Sequence, residues 1–196
     1  MLGGAFNPPH IAHLLLAQDA IASLGLDELI LVPTGQAPHK TISPEPGPGL
    51  RLEMARLAAA GEERLSVSDL EVTREGPSYA YRTLELLVDE NPGSQLTFVM
   101  GADVAAGLEG WHRPERVVEL ARVAIAERPG FDRSEADEVL ERLGAEGRAD
   151  AIDMPPIGVS SSMIRARVAA GKPIRWMVPD PVRELIAARG IYGAAS

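Results

Sequence analysis

Apolar and polar positions along this chain follow two periods, and the points where one gives way to the other mark out helices and strands. Over 10–24, Leu14, Leu15, Ala17, Ile21 and Leu24 recur at helical spacing, and the run ELILVP at 28–33 then reads as a buried strand. The same reading predicts helices over 50–60 and 79–90, a strand region over 65–72, and a short strand, LTFVM, at 96–100. Two short helices broken near Trp111 and Pro114 are expected within 104–120, then a strand over 122–126, a helix over 134–143 and a final short strand over 151–154. Helices over 161–170 and 181–189 close the chain.

Strands that alternate with amphipathic helices call for right-handed crossovers and a mostly parallel sheet covered on both faces, so the expected fold class is α/β, an open parallel sheet between helices. Ligands of such sheets bind beyond the strands' carboxyl ends, at the switch point of the strand order. With 196 residues and 45% apolar content, one well-filled core is expected, so 1–196 reads as a single domain whose helical part from about 160 to 196 is carried on it. There is no internal repeat. The Pro- and Gly-rich stretch SPEPGPG at 43–49 reads as a surface loop placed to act as a lid.

Charge and composition narrow the partners. Nineteen Lys and Arg against twenty-eight Asp and Glu give a formal charge of -9, the wrong sign for wrapping nucleic acid, although a pocket with a few local donors still suits a small anion. No run of about eighteen apolar residues and no basic flank before an apolar stretch is found, so neither a membrane span nor a signal peptide is expected, and the protein is placed in the cytoplasm. With no cysteine in the sequence, thiolate zinc and a cysteine nucleophile are excluded, and any metal must be held by His, carboxylate or the substrate itself.

Two segments carry candidate anion chemistry. In Gly3-Gly4-Ala5-Phe6-Asn7-Pro8-Pro9-His10-Ile11-Ala12-His13, the glycines permit close backbone approach, the prolines suit a helix's first turn, and His10 and His13 share one face at its start. Free first-turn amides and the helix dipole favour an anion there, so the pair reads as a phosphate cradle, or else as two polar caps. In Val159-Ser160-Ser161-Ser162-Met163-Ile164-Arg165, hydroxyls cap a helix and Arg165 projects from its first turn or so, which fits a second anion site or a plain capped helix. Neither segment has the Lys-Ser/Thr of a P-loop or the G-x-G-x-x-G of a dinucleotide-binding turn.

The first segment resembles the G-G-x-F-[D/N]-P-x-H-x-G-H signature of the nucleotidyltransferase superfamily, and the second resembles its I-S-S-[ST]-x-[IL]-R. That resemblance implies a Rossmann-like sheet in which His10 and His13 contact ATP phosphates, Gly3, Gly4, Ala5 and Phe6 lie against ATP, and Ser160, Ser161, Ser162 and Arg165 bind the β- and γ-phosphates. Further segments, GQAPHK at 35–40, Gly76-Pro77-Ser78-Tyr79, Thr83-Leu84, Gly101-Ala102-Asp103, Trp111 and Arg128-Pro129-Gly130, are similar to bacterial nicotinate-nucleotide adenylyltransferases over nearly the whole chain. By themselves Lys40 fits a solvated loop lysine, Asp103 a helix cap and Trp111 a half-buried packing residue. The resemblance implies that Lys40 approaches the phosphates, that Gly101 and Asp103 meet the adenosine, that Trp111 stacks on the pyridine ring with Arg128 on the same acceptor side, and that backbone amides at Ser78, Tyr79 and Ala80 hold the nicotinate carboxylate. Tyr79 itself is expected in the core.

The pattern is not followed everywhere. Ala12 stands where relatives have glycine, Ala80-Tyr81-Arg82 replaces a T-x-D, and Met1-Leu2 leaves almost no first central strand, so the first strand is expected to be truncated and either the natural start to lie upstream or this form to be marginally stable. The resulting expectation is a transferase that joins ATP and nicotinate mononucleotide into deamido-NAD and pyrophosphate, with magnesium carried in by ATP, no protein metal cage, no nucleic-acid or membrane partner, and an oligomer possible. Nicotinamide mononucleotide or phosphopantetheine as acceptor, or a non-catalytic nucleotide sensor, are the rival readings.

Overall fold

The computed structural model describes residues 1–38, 43–126, 133–145 and 147–193. Among these residues six strands form one all-parallel sheet: β1 (Leu2–Gly4), β2 (Leu29–Pro33), β3 (Leu65–Val67), β4 (Thr97–Gly101), β5 (Arg122–Ala126) and β6 (Ala149–Ile152), in the spatial order β3-β2-β1-β4-β5-β6. The order reverses between β1 and β4, which is where an open α/β sheet forms its ligand crevice.

Short as it is, β1 fills the centre. Leu2, Gly3 and Gly4 are in register with Leu31, Val32 and Pro33 on one side, and Leu2 with Val99 on the other. The ladder runs to the first residue, with Val99 N–H donating to the Met1 carbonyl at 2.9 Å and the Met1 ammonium donating to the Thr97 carbonyl at 2.8 Å.

Strand side chains alternate between faces, as a pleated sheet requires. Leu2, Leu29, Leu31, Val99, Ala124 and Ile152 meet α1 (Ile11–Leu24) through Leu16, Ala17, Ala20 and Ile21. Val32, Phe98, Met100, Val123 and Ile125 face the other way, onto α4 (Ala80–Glu90), α6 (Pro114–Leu120) and α7 (Arg133–Arg142). The first of these helices stops where Gly25 takes φ 61°, a left-handed turn that glycine adopts without a Cβ penalty, and Leu26 N–H closes back on the Ile21 carbonyl at 3.1 Å.

A third cluster joins α2 (Pro48–Ala59), α8 (Ser161–Ala169) and α9 (Asp180–Ala188) through Met54, Ala58, Ile164, Val168, Val182 and Ile186. It fixes the start of α8 beside the start of α1, where Ile11 N–H also donates to the Met177 carbonyl at 3.0 Å.

The strand region expected over 65–72 is a three-residue strand followed by the short helix α3 (Leu70–Thr73), in which Val72 and Thr73 N–H both close on the Asp69 carbonyl. The apolar residues Leu70 and Val72 mimicked a strand period, but the turn puts Glu71 inward, which an extended chain leaving the sheet's edge would not. The final strand lies at 149–152 rather than 151–154, because its register is set by pairing Val123 with Ala149 and Ala126 with Ile152. Between β4 and β5 the chain forms three pieces instead of two, α5 (Ala102–Ala106), a 3₁₀ turn (Leu108–Gly110) and α6, with Trp111 and Arg113 at the break. A further 3₁₀ turn (Ile191–Gly193) follows α9.

Candidate active site

A cleft of about 760 Å³ lies at the carboxyl ends of β1 and β4. One wall is the turn leaving β1, where Gly4, Ala5, Phe6 and Asn7 border the cleft and Phe6 adopts φ 47°, unusual for a residue with a side chain. The other is the direct passage from β4 into α5, which brings Gly101 and Asp103 to the opening.

The two histidines divide the work. His10 is the N-cap of α1, 5% exposed, and does not border the cleft, whereas His13 one turn on does. They are coupled: His13 Nδ1 accepts the His10 backbone N–H at 3.2 Å, and the two rings lie 3.8 Å apart. Phe6 meets the His13 ring edge-on at 5.0 Å, so the imidazole facing the cleft is held between an aromatic wall and its partner histidine.

The serine-rich motif closes onto the histidine motif directly. Ser160 caps α8 by accepting the Met163 N–H at 3.2 Å, Ser161 Oγ donates to the Pro8 carbonyl at 2.8 Å, and Arg165 Nη1 donates to the Asn7 carbonyl at 2.8 Å. Ser161, Ser162 and Arg165 border the cleft, while Ser160 stays behind as the cap. Two helix N-termini and one guanidinium thus converge beside His13, an arrangement suited to a polyanion.

At the other end stand Ser78, Tyr79, Ala80, Trp111 and His112. Trp111 is half-buried, packs its ring 6.1 Å from Phe98 and leaves part of its surface to the cleft; His112 lies 4.6 Å from Tyr79. Tyr79, expected in the core, is only half-buried and forms wall as well as packing. The Ser78 and Tyr79 N–H groups are already engaged, with the Gln36 carbonyl at 2.8 Å and the Pro77 carbonyl at 3.0 Å. The Arg82 and Thr83 amides close on the Tyr79 carbonyl, so the first-turn amides of α4 that helix geometry leaves pointing outward are those of Ala80 and Tyr81.

Of the residues singled out in the sequence, Gly3, Gly4, Ala5, Phe6, His13, Ser78, Tyr79, Ala80, Gly101, Asp103, Trp111, Ser161, Ser162 and Arg165 border this one cleft. His10 and Ser160 support it from behind. Lys40 and Arg128 lie outside the described residues.

Three residues that the sequence reading passed over organise the site. Arg51 on α2 is fully buried; its guanidinium donates to the Ala5 carbonyl at 2.9 Å, the Thr34 carbonyl at 2.6 Å, the Gly35 carbonyl at 3.1 Å and Glu45 Oε1 at 2.9 Å. It therefore joins the turns leaving β1 and β2 to the loop at 43–49. Asn7, 2% exposed, donates from Nδ2 to the Pro44 carbonyl at 2.9 Å and accepts the Tyr192 hydroxyl, while burial pushes that phenol up from its ordinary value. Glu71 on α3 is 6% exposed and borders the cleft; Thr83 Oγ1 donates to it at 2.7 Å. Loss of water around its carboxyl pushes that group up, against hydrogen bonds from Thr83, Ser78 and Gly35 and the nearby charge of Arg74. Two signals were available in the sequence: Asn7 stands at the [D/N] position of the first motif, and the charge of Arg51 falls in helical phase with Met54, Ala55 and Ala58 on the buried stripe of α2.

The cytidylyltransferase-like family profile matches residues 1–167. A relative from Geobacillus kaustophilus named nicotinate-nucleotide adenylyltransferase is 38% identical over 194 residues, spanning 99% of this chain and 85% of its own. Relatives of that name from Roseiflexus and Rubrobacter xylanophilus are 39% and 36% identical, covering 98% and 99% of this chain and 96% and 91% of theirs. Among solved structures, Plasmodium falciparum nicotinic acid mononucleotide adenylyltransferase complexed with NaAD superposes with a TM-score of 0.76 at 20% identity, over 99% of this chain and 96% of that one, a likeness of fold. Sequence kinship over nearly the full length therefore makes this chain a member of the cytidylyltransferase-like family and, within it, of the nicotinate-nucleotide adenylyltransferases.

Proposed function

We propose that the cleft transfers the adenylyl group of ATP to nicotinate mononucleotide, giving deamido-NAD and pyrophosphate for NAD biosynthesis. The observation that carries this reading is the closure of the serine motif on the histidine motif through Ser161 with Pro8 and Arg165 with Asn7, which puts His13 and Arg165 on the same cleft as Trp111. A phosphate oxygen of the mononucleotide attacks the α-phosphorus of ATP in line. The new phosphoanhydride bond forms as the bond to the pyrophosphoryl oxygen breaks, and the electron pair leaves on pyrophosphate. The attacking phosphate is already ionised, so no general base is needed, and catalysis rests on alignment and on charge placed around the phosphates.

His13, Arg165 and the amino ends of α1 and α8 supply that charge, with His10 fixing His13 and Lys40 completing the set. Gly3, Gly4, Ala5, Phe6, Gly101 and Asp103 receive ATP, Ser160, Ser161 and Ser162 orient its β- and γ-phosphates, Trp111 stacks on the pyridine, Arg128 is assigned to binding the acceptor, and the amides from Ser78 to Ala80, chiefly the last, receive the carboxylate. Among the described residues there is no group of three or more His, Asp or Glu able to hold a metal, so magnesium belongs to this reading as an ion bound by ATP's own oxygens that neutralises their charge. Residues 1–196 are taken to act as one domain. No helix among the described residues is long and apolar enough to cross a membrane, and a cytoplasmic setting fits the substrates.

Pyrophosphate release measured with ATP and, in turn, nicotinate mononucleotide, nicotinamide mononucleotide and phosphopantetheine tests the proposal. The expected result is robust release with the nicotinate acceptor and much less with the others. Preference for either rival acceptor would overturn the assigned substrate, and no release with any would overturn the transfer itself.

A further inference from the structure

The acceptor side of the cleft is built on a buried carboxyl for which the reaction has no chemical use. Glu71 sits on α3, off the sheet's edge, yet it is 6% exposed and borders the cleft. Three segments meet on it. The Thr83 hydroxyl of α4 donates to Oε1 at 2.7 Å, and the Ser78 hydroxyl and the Gly35 amide stand near enough to favour its charged form. Gly35 N–H donates to Ser78 Oγ at 3.1 Å, tying the turn leaving β2 to the segment before α4 beside α3.

The fit at this junction admits nothing larger. A Cβ on Gly35 would lie 1.9 Å from the Glu71 carbonyl oxygen, so the turn must approach α3 with glycine. The same turn is also gripped by Arg51, which holds the Gly35 and Thr34 carbonyls together with the Ala5 carbonyl of the turn leaving β1. Glu71 and Arg51 are thus two buried charged groups at one glycine, the first tied to the acceptor wall and the second to the wall shared with ATP.

We propose that Glu71 is a positioning residue for the acceptor: by fixing Ser78 and Thr83 it aims the first-turn amides of α4 at the carboxylate of the pyridine nucleotide. This rests on the reading of that wall as the acceptor subsite. Glu71 touches no substrate itself. Its removal lets the segment from 76 to 79 and the first turn of α4 shift, and a donor misplaced by a fraction of an ångström loses most of its value. ATP, held by the opposite turn and by α8, keeps its contacts.

The test is a split between the two Michaelis constants. Glu71→Leu is expected to raise KM for nicotinate mononucleotide about tenfold, with KM for ATP changed less than about twofold, as loss of one substrate's orienting contacts predicts. Glu71→Gln, which keeps the shape and one acceptor oxygen, is expected to recover most of that loss. Thr83→Val, isosteric and lacking the hydroxyl, is expected to raise the same constant about threefold and decides the matter should the Leu variant not fold. An unchanged acceptor KM in a folded variant, or equal rises in both constants, would overturn the positioning role. The wild-type acceptor panel runs beside these variants: should another acceptor be used, the substrate assignment fails, and the split is then read on that acceptor.

Discussion

Arg165 donates from Nη1 to the carbonyl oxygen of Asn7 at 2.8 Å, so a guanidinium on α8 is oriented by the backbone of a turn 158 residues earlier. Its Nη2 rests on Ser162 Oγ at 3.1 Å, which leaves the planar fork facing the cleft with one edge occupied.

Arg165→Ala is expected to lower kcat/KM for ATP about 100-fold, the scale of losing one preorganised charge at a developing anion. Lysine keeps the charge but cannot bond Asn7, Ser162 and a phosphate together, so Arg165→Lys should recover only about a tenth of the wild-type rate. Steady-state kinetics with ATP varied at saturating acceptor checks both values.

The two histidines should separate. His13 borders the cleft and His10 lies beneath it as the cap of α1. His13→Ala is expected to lower turnover by about two orders of magnitude with the melting temperature nearly unchanged. His10→Ala is expected to lower turnover and also to reduce the melting temperature by about 5 °C, through the lost cap and packing. Thermal melts paired with turnover measurements distinguish them; normal turnover in His13→Ala would remove it from the mechanism.

Trp111 borders the cleft, whereas Trp176, the chain's other tryptophan, is 79% exposed and does not. In a Trp176→Phe background the remaining fluorescence reports Trp111 alone. Nicotinate mononucleotide is expected to quench it saturably, and Trp111→Ala to raise the acceptor KM about tenfold, the worth of one stacked ring. Titration without quenching would show that the ring lies elsewhere.

Stability should respond to pH through two buried groups of opposite sense. The Met1 ammonium is pushed down to about 5 by burial, with Glu28 opposing. In a chain that starts at Met1 the unfolded state therefore holds the extra proton between about pH 5 and 8, and stability rises with pH across that window. Burial raises the Glu71 carboxyl, so the folded state holds that proton longer, and the wild type loses stability as pH climbs through the folded value. Glu71→Gln removes the second effect. Urea unfolding at several pH values should show the variant gaining on the wild type above the ordinary carboxylate range, with the amine's rise intact in both.

Much of the architecture was legible because helical and strand periods are local. The stripe of α1, the apolar runs of β2, β4 and β5, and the hydroxyls capping α8 each declare themselves within a dozen residues. The failures came where a neighbour in space overruled the local period. Leu70 and Val72 looked like strand, but Glu71 between them is drawn inward by Thr83, twelve positions along the chain, and the segment coils to deliver it. The last strand moved because its register belongs to β5.

By itself the sequence determined which residue types stand ready at the two phosphate motifs and that the fold is an open parallel sheet, since both follow from spacing along one stretch of chain. Only the tertiary structure decided that His13 rather than His10 faces the cleft, that Ser78 and Tyr79 have already spent their amides, and that Arg51, Asn7 and Glu71 hold the walls together. A buried charge and a solvated one are the same letter. What separates them is the set of carbonyls and hydroxyls from distant segments that replace water around each, and those partners exist only once the chain has closed on itself.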